Sequence, residues 1–414
     1  MSHTAEPRVA ITGVGVISPN GIGKEEFWQA LKEGRSGIRQ ISVFDSRLFK
    51  AHLAGEVINF DVESFLGVKG LRNTDRSTKF LCSAAKLALD DARLKITEEN
   101  TDDIGVVTAT TLSVIWNISE FSKEAAVEGP QFVNPAGFPG TTINAPSSQI
   151  SIRFNIKGFN TTVSTGYTAS LDALKYAVDF IRLGRVRAVL VAGVEALSFQ
   201  NFVGFYNLGF LSGIDAQELS CPFDKRRNGI ILGEGSVALL IEDEEYAKIR
   251  KANIYARILS VENSFDAYRS GKYHPRAEGL KKAISKALTN SGINKDAIDY
   301  ICASANSVVQ QDKLETLAIK EDFGELAAKI PVSSIKSMTG ENLSAAGVFQ
   351  IACAIGAIEQ GFIPPTINYK EKDPECDLDY VPNKSREAKV KNVLVNNFGP
   401  GGNNAAAIIS KYGE

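Results

Sequence analysis

Short, continuously apolar segments alternate from end to end with helix-length amphipathic ones, and this alternation restricts the possible folds more than any other feature. Val9–Ser18, Ile104–Thr110, Ala188–Ala196 and Val237–Glu242 are dense in Val, Ile and Ala. Such runs read as strands buried on both faces, the pattern of parallel strands under helices. Between them lie Ser77–Leu94 and Thr168–Leu183; in the second, Leu171, Leu174, Val178 and Ile181 fall on one helical face. Strands interleaved with amphipathic helices predict an α/β protein whose sheets are covered by helices.

The second half repeats the grammar of the first. Ser164-Thr165-Gly166 opens a helix that closes at Gly184, and the strand Ala188–Gly193 follows. Ser337-Met338-Thr339-Gly340 opens another that closes at Gly361, with the strand Val393–Asn397 beyond. This order points to an internal duplication into halves 1–250 and 251–414, parting where the acidic-basic stretch Asp243–Lys251 separates two strands. Alternation of this kind is self-similar by default, so the pattern alone leaves the duplication open. The aromatic, Gly- and Pro-bearing stretch Val127–Gly140 reads as a long surface or interface loop.

Composition serves mainly to exclude. Across 414 residues, 46 Lys+Arg against 48 Asp+Glu leave a net charge of −2, without the basic excess of a nucleic-acid binder. The leader Met1–Arg8 has no apolar core, so no secretion signal is expected. The runs Ala188–Val194 and Ile351–Ile358 fall short of the ~20 residues of a membrane span. Cys82, Cys221, Cys302, Cys353 and Cys376 form no CxxC pair, which points to a reducing cytoplasm and no zinc site; no other metal and no cofactor is expected. Cys302 and Cys353 read as buried structural thiols. Only three histidines occur: His3 in the leader, and His52 and His274 in polar stretches. Neither a GxSxG elbow nor an HExxH helix is present.

Several blocks then become specific: Val9-Ala-Ile-Thr-Gly-Val-Gly-Val-Ile-Ser-Pro19, Cys221-Pro-Phe-Asp-Lys-Arg-Arg-Asn-Gly229, and Leu232-Gly-Glu-Gly235. Asp312-Lys-Leu-Glu315, Lys336-Ser-Met-Thr-Gly340 with Ala345-Ala-Gly347, and Phe398-Gly-Pro-Gly-Gly402 with Asn404 follow. In order and spacing they resemble the β-ketoacyl-acyl carrier protein synthase family of the thiolase-like superfamily, from residue 9 to 410. The resemblance implies a thiolase-like fold of two duplicated halves in a layered αβαβα architecture. Taken by themselves, Gly233 and Gly235 around Glu234 suit a tight turn. Gly399, Gly401 and Gly402 suit either a donor loop for a carbonyl oxygen or a plain turn into a last strand.

A condensing enzyme of that family uses a Cys at a helix N-terminus, where the dipole lowers its pKa, and two histidines for decarboxylation of the malonyl unit. By motif, Tyr167 stands at the Cys position, Ser304 at the first His and Glu341 at the second. A phenol of pKa near ~10 is a poor acyl acceptor at neutral pH, and an ionised Glu341 would repel a malonyl carboxylate. Asp312, Glu315 and Lys336 remain and are expected to form a buried charge network. The family often has a second aromatic in the C-terminal Gly loop as a gate after Phe398; here Pro400 fixes φ and argues against a swinging gate.

Within the family, an intact frame without the catalytic residues resembles the chain length factor of type II polyketide synthases, a silent subunit paired with an active ketosynthase. Tyr167 departs from the Gln common there. The resemblance implies a cytoplasmic heterodimer, an acyl carrier protein that docks mainly on the catalytic subunit, and no contact with nucleic acid or membrane. It places Ile115, Trp116 and Ile118 at an interface or tunnel floor. Phe199, Phe202, Phe205 and Tyr206 read either as tunnel wall or as core. The basic group Lys69, Arg72, Arg76 and Lys79 reads either as an aid to carrier docking or as a solvated helix face. The competing expectation is a divergent acyltransferase or malonyl-carrier decarboxylase with a rewired site built on Tyr167, Glu341 and Lys336.

Overall fold

A computed structural model describes residues 7–71 and 74–413; His3 and Arg72 lie outside the described residues. Ten strands form one path: β1 (Val9–Ser18), β2 (Ile104–Ala109), β3 (Asn160–Val163), β4 (Ala188–Glu195), β5 (Gly235–Asp243), β6 (Ala256–Phe265), β7 (Tyr300–Cys302), β8 (Val332–Ser333), β9 (Asn392–Phe398) and β10 (Asn403–Lys411). Their order is β8-β7-β9-β10-β6-β1-β5-β4-β2-β3, with the short strand Gly21–Ile22 paired to β1 off the path. Outward from the β1/β6 seam, each side takes two antiparallel steps and then two parallel ones. The two sides thus share one strand order, with β1, β5, β4, β2, β3 answering β6, β10, β9, β7, β8.

The sheet is therefore mixed. β1 and β5 are buried along their length, as their composition predicts, yet they run antiparallel to each other. Burial on both faces makes a strand continuously apolar whatever its direction, so the apolar runs carried no information about orientation.

Helices complete the layers. The central layer holds α3 (Ala169–Arg182) and α7 (Ala346–Gln360), which pack on each other and on strands of both sides. Leu171, Leu174, Val178 and Ile181 turn inward together, each no more than 2% exposed. α1 (Arg76–Asp91) covers β1, β5 and β4 from outside; α5 (Glu278–Ser291) covers β6 and β10 and packs on α6 (Val309–Phe323). Buried on nearly every side, α7 is apolar all round. With the turn before it, Leu343–Gln360 gives 18 residues of mean hydropathy 1.3, enough by length and composition to cross a bilayer, and 89% of that stretch is buried within the protein. The apolar run is thus longer than the sequence reading allowed, and its burial accounts for its composition.

The long segment after α2 (Ile115–Val127) is not a plain loop: it carries the 3₁₀ turns Pro130–Phe132 and Pro135–Thr141 at the surface. α4 (Phe199–Asn207) packs on α2.

Candidate functional site

The chain segments that end the central strands converge at one end of the middle layer. Tyr167 sits in the 3₁₀ turn Gly166–Thr168 that leads into α3. Ser304 follows β7, Glu341 follows the one-turn helix Lys336–Thr339, and Gly399 follows β9. Two glycines are required by this convergence. Gly340 has φ +76°, and a Cβ there would stand 2.8 Å from the Leu232 carbonyl oxygen. A Cβ on Gly399 would stand 2.6 Å from Cγ of Tyr167, so the tyrosine ring lies directly over the Gly loop.

The three positions that the family resemblance marks as catalytic are thus brought together, and one of them is tied into a buried ion pair. Lys336 Nζ donates to Glu341 Oε2 at 2.8 Å and to the Ser304 carbonyl at 2.8 Å; both side chains are 2% exposed or less. Asn306 Nδ2 donates to the same Glu341 oxygen at 2.8 Å, and Glu341 Oε1 accepts from Leu343 N–H at 2.9 Å. The network therefore reaches beyond Asp312, Glu315 and Lys336, whose charges act on one another at Glu315, to take in Glu341. Lys336 pairs with Glu341, not with Asp312 or Glu315, and its ammonium offsets the negative charge expected to repel a carboxylate.

Asp312 and Glu315 hold backbone. Glu315 accepts from Ser304 N–H at 2.8 Å and Ala305 N–H at 2.7 Å; Asp312 accepts from Phe223 N–H at 2.8 Å and Asn306 N–H at 2.9 Å. Phe223 and Leu343 have φ of +64° and +46°, conformations that a side chain resists. Fixed carboxylate acceptors at their N–H groups hold both in place. Burial raises Asp312 to about 6 against the pull of Arg227, and raises Glu315 to about 7.

Tyr167 is half-buried, and its phenol is pushed well above 10 by burial first and by Glu341 second. Burial also raises Tyr273, which donates to Gln311 Oε1 at 2.6 Å beside the same network. Ser304 is fully buried, its hydroxyl 3.3 Å from Phe398 N–H. Phe398 is 3% exposed, paired with Asn404 in the β9–β10 hairpin and set edge-on to Tyr273, so it is fixed in place. Pro400 lies in the hairpin turn.

The described histidines lie elsewhere. His52 Nδ1 faces Ser46, and His274 faces Tyr268 and Glu278. All five cysteines are buried and unbridged. Burial pushes Cys353 well above its ordinary thiol value.

The predicted interface residues behave differently from one another. Trp116 and Ile118 are 47% and 44% exposed, whereas Ile115 is half-buried. Phe202 is core, 1% exposed, among Phe44, Phe49 and Tyr206; Phe205 is half-buried against the same cluster, and Phe199 is 40% exposed. Of the basic group, Arg76 is tied to the buried Glu234 at 2.5 and 2.9 Å and lies over the Phe80 ring, so it is half-buried in an ion pair and not free on a solvated face. Lys69 is exposed and Lys79 half-buried.

Glu195, at the end of β4 and 1% exposed, went unremarked in the sequence. It accepts from the N–H groups of Thr111 and Leu112 and from the Ser344 hydroxyl, joining the approach to α2 with the approach to α7. Burial raises it to about 7. A carboxyl within an otherwise apolar strand, Ala-Val-Leu-Val-Ala-Gly-Val-Glu, was the available signal.

The mixed sheet, the paired central helices and the convergence of loops at one end of them define a thiolase-like fold. The chain belongs to the β-ketoacyl synthase family: the family's N-terminal domain matches residues 6–247 and its C-terminal domain residues 255–370. It is 37% identical to 3-oxoacyl-[acyl-carrier-protein] synthase 2 of Coxiella burnetii over 98% of each chain. It is 36% identical to the protein of that name from Synechocystis over the full length of both. Among solved structures, a chain of the ishigamide ketosynthase/chain length factor aligns with TM-score 0.92 and 34% identity, covering 99% of this chain and all of that one. A chain of AntDE:AntF, a type II polyketide synthase acyl-carrier protein in complex with its ketosynthase bound to the hexaketide, aligns with TM-score 0.89 and 30% identity, over 98% and 100%.

Proposed function

We propose that this chain is a non-catalytic ketosynthase-like subunit, a chain length factor, that pairs with an active β-ketoacyl-carrier-protein synthase and shapes the tunnel that sets acyl chain length. The observation that carries the reading is the Lys336–Glu341 pair. At the position where the family resemblance expects a histidine stands a carboxylate already satisfied by an ammonium, an amide and a backbone N–H. A carboxylate held on both oxygens by the protein itself is poorly placed to do the work of a catalytic histidine. Tyr167 adds to this, because burial and a neighbouring carboxylate both disfavour the phenolate that would have to attack. The curated relatives carry the name of active synthases; the reading rests on where this chain departs from the family's catalytic residues. An acyl carrier protein, as in the AntDE:AntF complex, is the second partner and would deliver its chain to the active subunit.

The test is co-expression with an intact ketosynthase from the same genome, with only one of the two tagged. A stable 1:1 complex is expected, with condensation that disappears when the ketosynthase loses its own Cys. A homodimer that ignores the ketosynthase would overturn the reading. So would an acyl adduct on Tyr167 in intact-mass spectra of this chain alone, which would establish the rewired acyltransferase.

A further inference from the structure

Two side chains that the motif blocks leave out, Gln311 and Tyr273, meet beside Ser304, where the family resemblance expects the first histidine. Gln311 is fully buried, and its Nε2 stands 3.2 Å from the Ser304 carbonyl, 3.3 Å from Ser304 Oγ and 3.4 Å from the Phe398 carbonyl. Its Oε1 accepts from Tyr273 O–H at 2.6 Å and from Asn306 Nδ2 at 3.2 Å. A serine standing where the family carries a histidine removes most of an imidazole, and a buried hole of that size is costly. Here the Gln311 amide bridges Ser304, Phe398 and Asn306, and the Tyr273 ring, 6% exposed, backs it edge-on to Phe398.

The nucleophile's place is filled from the other side. The Tyr167 ring lies over Gly399 and packs against the cluster of Leu197, Phe202, Leu232 and Leu343. Its turn rests on the turn Leu343–Ala345 and on β9. The hydroxyl has no hydrogen-bond partner among the described residues, so packing holds the ring. Tyr273 stands close enough to Tyr167 and Glu341 for both to act on its phenol, so the two fillings share one space. An acyl thioester must bring its carbonyl carbon to about 3–3.5 Å from the nucleophile to react. The volume it needs there is the one that these side chains occupy.

We propose that Tyr167, Gln311 and Tyr273 close this chain's own acyl site, so that an acyl thioester is excluded from it. With this mouth shut, a chain delivered on an acyl carrier protein can enter only at the partner. That use of the closure rests on the partner-subunit reading above; the closure itself is a steric property of this chain. It separates two ways of being inactive. A site that merely lacked its nucleophile would still bind acyl groups and hold them unproductively, whereas a filled one leaves them to the active subunit.

The experiment titrates octanoyl-pantetheine into the full chain by isothermal titration calorimetry. Tyr167→Ala is expected to saturate at concentrations at least about tenfold below any at which the native chain or Tyr167→Phe, which keeps the ring, responds. Adding Gln311→Ala should tighten binding again, and thermal unfolding checks that each variant is folded. Tyr167→Cys, the family's own residue at this position, is a second opening variant. Its thiolate would take the octanoyl group and release pantetheine as the free thiol. The five natural thiols are buried, so an octanoyl adduct in its intact mass reports entry at the new one. A native chain that binds octanoyl-pantetheine as tightly as Tyr167→Ala would overturn the inference, as would folded opening variants that neither bind nor acylate. An affinity unchanged by adding Gln311→Ala would overturn the part given to Gln311 and Tyr273. Co-purification with the ketosynthase tests the subunit reading separately, so either can fail without the other.

Discussion

Lys336 and Glu341 tie the candidate site together at the scale of single residues. The pair is buried and hydrogen-bonded on both sides, and Glu341 fixes the N–H of Leu343, whose φ is positive. Removing only the cation strands a buried carboxylate. Lys336→Met is expected to cost about 3–5 kcal/mol in urea denaturation, and adding Glu341→Gln should recover most of that, because the amide keeps an oxygen for Leu343 while no charge stays unpaired. Losses that simply add would show that the two do not act as a pair. Glu195, Glu315 and Asp312 carry a different signature, since burial raises all three to about 7, 7 and 6. A carboxyl whose pKa rises on folding holds its proton more tightly in the native state. Its contribution is complete below the unfolded value of about 4 and is lost as pH rises through the folded value. Stability should therefore decline between about pH 4 and 7. Glu195→Gln should flatten that decline by up to about 1.4 kcal/mol per pH unit, measured by denaturation at each pH. A profile unchanged by the substitution would contradict the assignment.

At the scale of elements, α2 is where the architecture is most exposed and where the proposed role is most easily tested. Trp116 lines a cavity beside α2 and is 47% exposed in the single chain, so Trp116→Ala should alter stability by no more than about 0.5 kcal/mol. Under the proposed function Trp116 borders the space left for the growing chain in the complex with an active ketosynthase, and the same change removes its indole there. The product distribution, read by liquid chromatography and mass spectrometry, is expected to shift toward longer chains; an unchanged distribution would confine Trp116 to packing. The elements themselves were legible because each carries its own period. β1 was read at its observed bounds, and the inward face of α3 followed from four side chains. The convergence of Tyr167, Ser304 and Glu341 came from motif order. What stayed hidden joins residues far apart in sequence or lacks a period. Arg76 meets Glu234 across 158 positions, and Glu195 grips two backbone N–H groups more than 80 positions away. Strand direction was hidden as well, because a strand covered on both faces reads the same in either sense.

Across the whole molecule, the matching strand orders invite a description as two domains, but the packing argues for one folding unit. The β1–β6 seam holds only three register pairs, Val9 with Ile258, Ala10 with Arg257 and Ile11 with Ala256. The main hydrophobic cluster crosses it freely. Leu174, Val191 and Leu239 of the first half share that cluster with Tyr300, Phe349, Ile355 and Val395 of the second, none more than 1% exposed. A chain cut at residue 250 would keep α3 and lose α7, β6 and β10, which pack on it, and would open the shared cluster to water. Each large apolar side chain returned to solvent forfeits about 1.5–3 kcal/mol, so a few of them match the 5–15 kcal/mol by which a folded protein is usually stable. Residues 1–250 expressed alone should therefore aggregate, and the same fragment made together with residues 251–414 should be recovered as a soluble pair. The intact chain should lose secondary and tertiary signals in one coincident transition. A first half that folds alone, or two resolved transitions in the intact chain, would show that the two sides of the sheet are domains in the physical sense as well as in topology.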